Sequence, residues 1–116
     1  MCIRDRSGGF AFEVNGAVLR FGVHAAGSYH YATYPTSLLN TTDSYYIIGA
    51  YDGDGAVRLW VNGSDSQATA SNSMNAGVTQ NDVPVVIGAD PEGGSATRYY
   101  GDNKIQMVTL QKWANH

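Results

Sequence analysis

The sequence predicts an all-β protein, an antiparallel sandwich or barrel, from three observations. Apolar residues alternate with other residues at every second position, short Gly, Asn and Asp clusters interrupt that alternation, and nowhere do apolar residues recur at helical spacing for three turns. A period of two puts every other side chain on one face of a pleated strand. Several short strands separated by turns, with no helices between them, bury those faces by packing sheet against sheet or closing into a barrel.

Phe10, Phe12 and Val14 alternate with Ala11 and Glu13, and Leu19, Phe21 and Val23 alternate with Arg20 and Gly22. The Asn15-Gly16 pair between them accepts the positive φ angles of a type I′ turn, so the two runs predict a hairpin. Ser28 to Tyr34 continues with Tyr29, Tyr31 and Thr33 on one face and His30, Ala32 and Tyr34 on the other. Pro35, which cannot donate to a ladder, ends that strand. Ser37 to Ser44 is rich in Ser, Thr and Asn and reads as a surface loop. Tyr45 to Tyr51 is a dense β-forming run, Asp52-Gly53-Asp54-Gly55 supplies a turn, and Val57, Leu59 and Val61 form an apolar face opposite Arg58, Trp60 and Asn62. Asn62-Gly63 starts the next turn.

Beyond it, residues 64–82 are polar and nearly uncharged, and predict one short strand near Gln67 to Ala70 and otherwise loop. Pro84 to Ala89 reads as a buried strand, Asp90 to Thr97 as a long Gly-rich loop, and Lys104 to Lys112 as a last strand. No linker, fixed-period repeat or second domain is visible in the pattern.

The first six residues, Met1-Cys2-Ile3-Arg4-Asp5-Arg6, look like a translated sequencing-library end and are set aside from fold reasoning. Without Arg4, Arg6 and Asp5 the formal charge moves from −3 to −4. The remaining Lys and Arg are few and scattered singly, which argues against a phosphate-binding footprint for nucleic acid and against an anionic-membrane patch. Cys2 is the only cysteine, so residues 7–116 carry neither disulfide nor thiolate metal site. No apolar run approaches the ~20 residues that span a bilayer, so membrane insertion by a helix is not expected.

Three words, in this order, carry a resemblance: Ile48-Gly49-Ala50-Tyr51-Asp52-Gly53, then Val57-Arg58-Leu59-Trp60-Val61-Asn62-Gly63, then Pro84-Val85-Val86-Ile87-Gly88-Ala89. Together they resemble the core of laminin G-like domains, in the concanavalin A-like lectin/glucanase superfamily with the pentraxins and legume lectins. The similarity runs from about Gly9 to the C-terminus, where Lys104 to Ala114 is similar to the family's closing strand. It implies an antiparallel jelly-roll β-sandwich over residues 7–116, short of its first strand or strands. In one departure, the tryptophan that usually opens the strand before the Tyr-Asp-Gly turn is replaced by Ser44, followed by Tyr45 and Tyr46.

The resemblance to pentraxins also implies calcium at the loop Asp90-Pro91-Glu92-Gly93-Gly94. Calcium takes 6–8 oxygen ligands, to which Asp90 and Glu92 would add carboxylates and Asn15 an amide oxygen. The acid expected before Asn15 is Val14, so the set is incomplete, and a solvated Gly-rich turn is the alternative. Asp52 and Asp54 lack the later bidentate acid of an EF-hand loop and read as caps of turn amides. Trp60 falls out of phase with the core face. It either stacks on a sugar ring, as Tyr29, Tyr31, Tyr99 and Tyr100 could, or lies under a loop or a further strand.

His24, His30 and His116 show no paired spacing for zinc. No strand holds the closely spaced acids of the glucanases that share this fold, so no catalytic residue is assigned. The sequence thus points to a noncatalytic recognition module, not an enzyme. It would bind carbohydrate or a protein surface, beside other domains of the same parent chain, in a secreted or cell-surface protein. A structural or adhesion spacer of a surface or phage fibre protein is the alternative, and a fragment of a glycoside hydrolase a third.

Overall fold

A computed structural model of the chain describes residues 2–4, 9–40, 42–79, 86–87 and 108–109. It is built of antiparallel strands with a single 3-10 turn at Thr36–Leu38 among the described residues. Those strands are β1 (Cys2–Arg4), β2 (Phe10–Asn15), β3 (Val18–Ala25), β4 (Ser28–Pro35), β5 (Ile47–Ala50), β6 (Asp54–Gly55), β7 (Arg58–Val61), β8 (Met74–Asn75) and β9 (Val86–Ile87). A five-stranded sheet runs in the order β4-β3-β2-β1-β9, while β5 pairs with β7 and β6 with β8.

The predicted hairpin of β2 and β3 forms, but its turn sits one residue later. Asn15 pairs with Val18, leaving Gly16 and Ala17 as the two loop residues. Positive φ occurs at Gly16 (+58°) and not at Ala17. That is the type II′ pattern rather than type I′, and its twist suits the flanking strands equally well. The β3–β4 turn, Ala26-Gly27, does carry two positive φ angles, as does Asn62-Gly63 after β7.

Registers decide which residues share a face. Phe12 lies opposite Phe21, which lies opposite Ala32, and Phe10 lies opposite Val23. These residues point toward the second sheet, whose inward side chains are Val57, Leu59 and Val61, as the alternation predicts. Phe21, Val23, Ala25, Ala32, Val57 and Leu59 form one buried cluster, with Phe10, Phe12, Tyr34, Ile47, Tyr51 and Met74 against it. The Phe12 and Phe21 rings meet at 5.0 Å between centroids, tilted by 50°. Gly49 of β5 lies directly on Phe21, where a Cβ would overlap the ring. The two sheets therefore meet closely because the Ile-Gly-Ala word supplies a strand residue with no side chain.

Elsewhere local signals were weaker. The strand expected near Gln67 to Ala70 reduces to one bridge, Thr69 to Thr33. The short pairing of Asp54–Gly55 with Met74–Asn75 joins segments with no period-two pattern of their own. Val86–Ile87 lies inside the expected strand from Pro84 to Ala89. Val108 and Thr109, within the expected last strand, are outside any strand, and the rest of that segment lies outside the described residues. The backbone of Cys2–Arg4 pairs with both β2 and β9. Such pairing uses main-chain groups and places few demands on side chains. Among the described residues, no helix is long and apolar enough to cross a membrane.

Candidate functional site

The outer face of the β5–β7 pair carries the residues most suited to meet a ligand. Trp60 lies opposite Ile48, and Arg58 opposite Ala50. Tyr46, two residues before Ile48, shares its face and lies opposite Asn62. Asn62 N–H donates to the Tyr46 carbonyl at 2.7 Å, and Tyr46 N–H donates to Asn62 Oδ1 at 3.0 Å. Asn62 can do this because it takes φ of +52°, a left-handed conformation that its short polar side chain tolerates better than most. The turn thereby fixes Tyr46 at the end of the strand pair.

The resulting surface is apolar and aromatic at its centre and polar at both ends. Tyr46 is 61% exposed and Ile48 40%, while Trp60 is half-buried. Arg58 and Asn62 flank them, both exposed. A flat aromatic face beside a few oriented polar groups is a common recipe for orienting a polar ligand that has apolar faces. Trp60 was legible from its phase in the sequence. Tyr46 and Asn62 were missed as members of the same face, since only the register that brings 46 against 62 shows it. The Asn-Gly turn was the available signal.

A second aromatic row lies on the outer face of the five-stranded sheet. Tyr29 and Tyr31 stack at 5.7 Å, and His24 meets Tyr29 edge-on at 5.1 Å. The Arg20 guanidinium sits 4.0 Å over the Tyr31 ring. It also reaches Glu13 Oε1 through Nε at 2.7 Å and Nη2 at 2.5 Å. Glu13 is 6% exposed, so a buried carboxylate is matched by two N–H donors, as burial of a charge requires. Tyr29 and Tyr31 are thus half-buried and engaged by neighbours, whereas the Trp60 face presents its groups outward.

Among the remaining candidates, Asn15 is exposed at the end of β2. Asp90, Glu92, Tyr99 and Tyr100 lie outside the described residues. Asp52 Oδ1 accepts the Asp54 N–H at 3.0 Å, the turn cap predicted for it. No group of three or more His, Cys, Asp or Glu gathers among the described residues.

A family model described as the concanavalin A-like lectin/glucanases superfamily, of the laminin G type, matches residues 2–111. The chain belongs to that superfamily as a laminin G-like domain. Its antiparallel sheets and near absence of helix agree with the family's all-β sandwich. No curated protein and no solved structure matches this laminin G-like domain.

Proposed function

We propose that this laminin G-like domain is a noncatalytic recognition module that binds carbohydrate, within a larger secreted or cell-surface protein. The observation that carries the reading is the outer face of β5 and β7, where Ile48 and Trp60 lie between Arg58 at one end and the Tyr46–Asn62 pair at the other. A sugar ring has an apolar face of C–H groups and an edge of hydroxyls. Trp60 suits the first, and the flanking guanidinium and amide suit the second. Membership of a superfamily of lectins supports the same reading by analogy of fold.

The disposition of the described acids supports the noncatalytic part. Glycosidases place two carboxyl groups across a cleft, about 5–9.5 Å apart. Of the five described acids, Glu13 is committed to Arg20, Asp52 to the Asp54 amide and Asp43 to the Asn40 side chain, and Asp54 and Asp65 are exposed.

Calcium belongs to the proposal through Asp90, Glu92 and Asn15. If that loop holds the ion, adding calcium raises the melting temperature by mass action on the folded state, and Asp90→Ala removes the rise. Equal melting temperatures in calcium and in chelator would remove calcium from the account.

The carbohydrate reading is tested with a glycan array probed by the wild-type domain and by Trp60→Ala. Selective glycan signals that vanish in the variant are the expected result. Binding to no glycan would move the function to a protein partner or a structural role.

A further inference from the structure

Asn62-Gly63-Ser64 has the spacing Asn-X-Ser with X other than proline, the acceptor pattern for N-linked glycosylation. Such triplets arise often by chance, and what separates this one is how its turn presents the asparagine. Val61 and Ser64 close the turn by exchanging two hydrogen bonds, Val61 N–H to Ser64 O at 2.9 Å and Ser64 N–H to Val61 O at 3.1 Å. Asn62 and Gly63 are the two loop residues between them, at φ +52° and +82°, as a type I′ turn requires. All three residues of the triplet are exposed.

The two ends of the Asn62 side-chain amide are in different situations. Oδ1 accepts the Tyr46 N–H at 3.0 Å, beside the main-chain bond from Asn62 N–H to the Tyr46 carbonyl at 2.7 Å. Nδ2 makes no hydrogen bond among the described residues. Attaching a sugar to Nδ2 turns a primary amide into a secondary one and leaves Oδ1 an acceptor. The bond that anchors Tyr46 at the end of the strand pair therefore survives the modification. The other triplet of this kind, Asn40-Thr41-Thr42, lacks that separation. There Oδ1 accepts from Thr42 N–H, the Thr42 hydroxyl and Asp43 N–H, and Nδ2 donates to Asp43 Oδ2 at 2.7 Å, so the nitrogen already serves the loop.

We infer that Asn62 is an N-glycan acceptor and that the first sugar, an N-acetylated hexosamine, rests against Tyr46. The Oδ1 bond holds Nδ2 next to Tyr46, whose side chain is exposed. The C–H side of a pyranose and the methyl of its acetamido group can cover the apolar face of that ring. The donor is a lipid-pyrophosphate-linked oligosaccharide, supplied with its transferase along the secretory route. Nδ2 bonds to the anomeric carbon as the bond from that carbon to the pyrophosphate oxygen breaks. The lipid pyrophosphate leaves with the electron pair, and one Nδ2 proton passes to a base of the transferase. Transfer takes place on a chain that is still extended, so the fold decides whether the glycan is tolerated and what it touches. The inference rests on the secreted or cell-surface reading, because that route supplies both donor and enzyme. It is independent of which ligand the Trp60 face takes.

The test expresses the chain behind a secretion leader in a glycosylating eukaryotic host, as the Thr42→Ala variant. That change removes the first triplet but keeps the Asn40 amide and the Thr42 N–H bonded to it. Intact mass is expected to show one oligosaccharide, and its enzymatic release in heavy-oxygen water converts Asn62 to a labelled aspartate. Ser64→Ala loses the glycan, whereas Ser64→Thr, which keeps the hydroxyl, retains it. Trimmed to a single sugar, the domain melts a few degrees above the same sequence made in a bacterial cytosol, and Tyr46→Ala abolishes the difference. An unmodified Asn62 in folded, secreted protein overturns the inference and leaves the secreted reading standing. So does an unlabelled aspartate at that position, the product of Asn-Gly deamidation. A glycan at Asn62 on a chain that the host retains instead of secreting contradicts the secreted reading and keeps the acceptor. Equal melting temperatures with and without the sugar overturn its contact with Tyr46.

Discussion

Glu13 and Arg20 form an ion pair whose two members are unequally buried, with side-chain exposures of 8% and 24%. Removing Arg20 would strand the more buried carboxylate, whereas removing Glu13 would leave a guanidinium that water can still reach. Arg20→Ala should therefore cost about 2–4 kcal/mol and Glu13→Ala about 1–2, read from urea unfolding midpoints at constant slope. Equal losses would place the pair in solvent rather than under the Tyr31 ring. Gly49 makes the complementary case of a residue fixed by a neighbour. Gly49→Ala pushes a methyl into Phe21, and overpacking of this kind costs about 1–3 kcal/mol by the same measurement. Neither requirement can be read from one position. Val57, Leu59 and Trp60 reveal their faces by phase, but Glu13 also alternates like a solvent residue, and only its register with Arg20 shows why it is buried.

Asn62-Gly63 sets both the end of β7 and the position of Tyr46, so a substitution there acts on the whole strand pair. Asn62→Ala loses the acceptor for Tyr46 N–H and places an alanine at φ +52°. A cost of about 1–3 kcal/mol is expected from the left-handed conformation and the lost bond. Faster exchange of the Tyr46 amide should accompany it, measured by hydrogen exchange. An unchanged Tyr46 amide would mean that the turn does not anchor the face. Hairpins are the elements that local sequence specifies best, because loop and flanking strands lie close in the chain, and the hairpin of β2 and β3 was legible. The Gly16 turn shows the limit: either primed type suits the twist, and the one-residue difference was not. The β6–β8 pairing was hidden for a different reason. Two residues per strand give no period, and their partners lie some twenty positions apart.

At the scale of the molecule, the same sandwich that buries Phe21 and Leu59 leaves the other side of β7 facing outward. The fold was legible because its three words, at 48–53, 57–63 and 84–89, recur in order in laminin G-like domains, and the match over residues 2–111 bears this out. The ligand face was legible only at Trp60. Its companions Tyr46 and Asn62 follow from strand register, which composition does not encode. Calcium at Asp90, Glu92 and Asn15 stands on the resemblance and ligand contacts from Tyr99 and Tyr100 on residue type, and of these five residues only Asn15 lies among the described ones. The central claim, that the β5–β7 outer face binds carbohydrate, is tested most directly by titrating one array-selected glycan into wild-type and Trp60→Ala domains by calorimetry. Loss of a buried aromatic anchor should weaken binding at least about tenfold with the fold intact, whereas equal affinities would place the ligand elsewhere on the molecule.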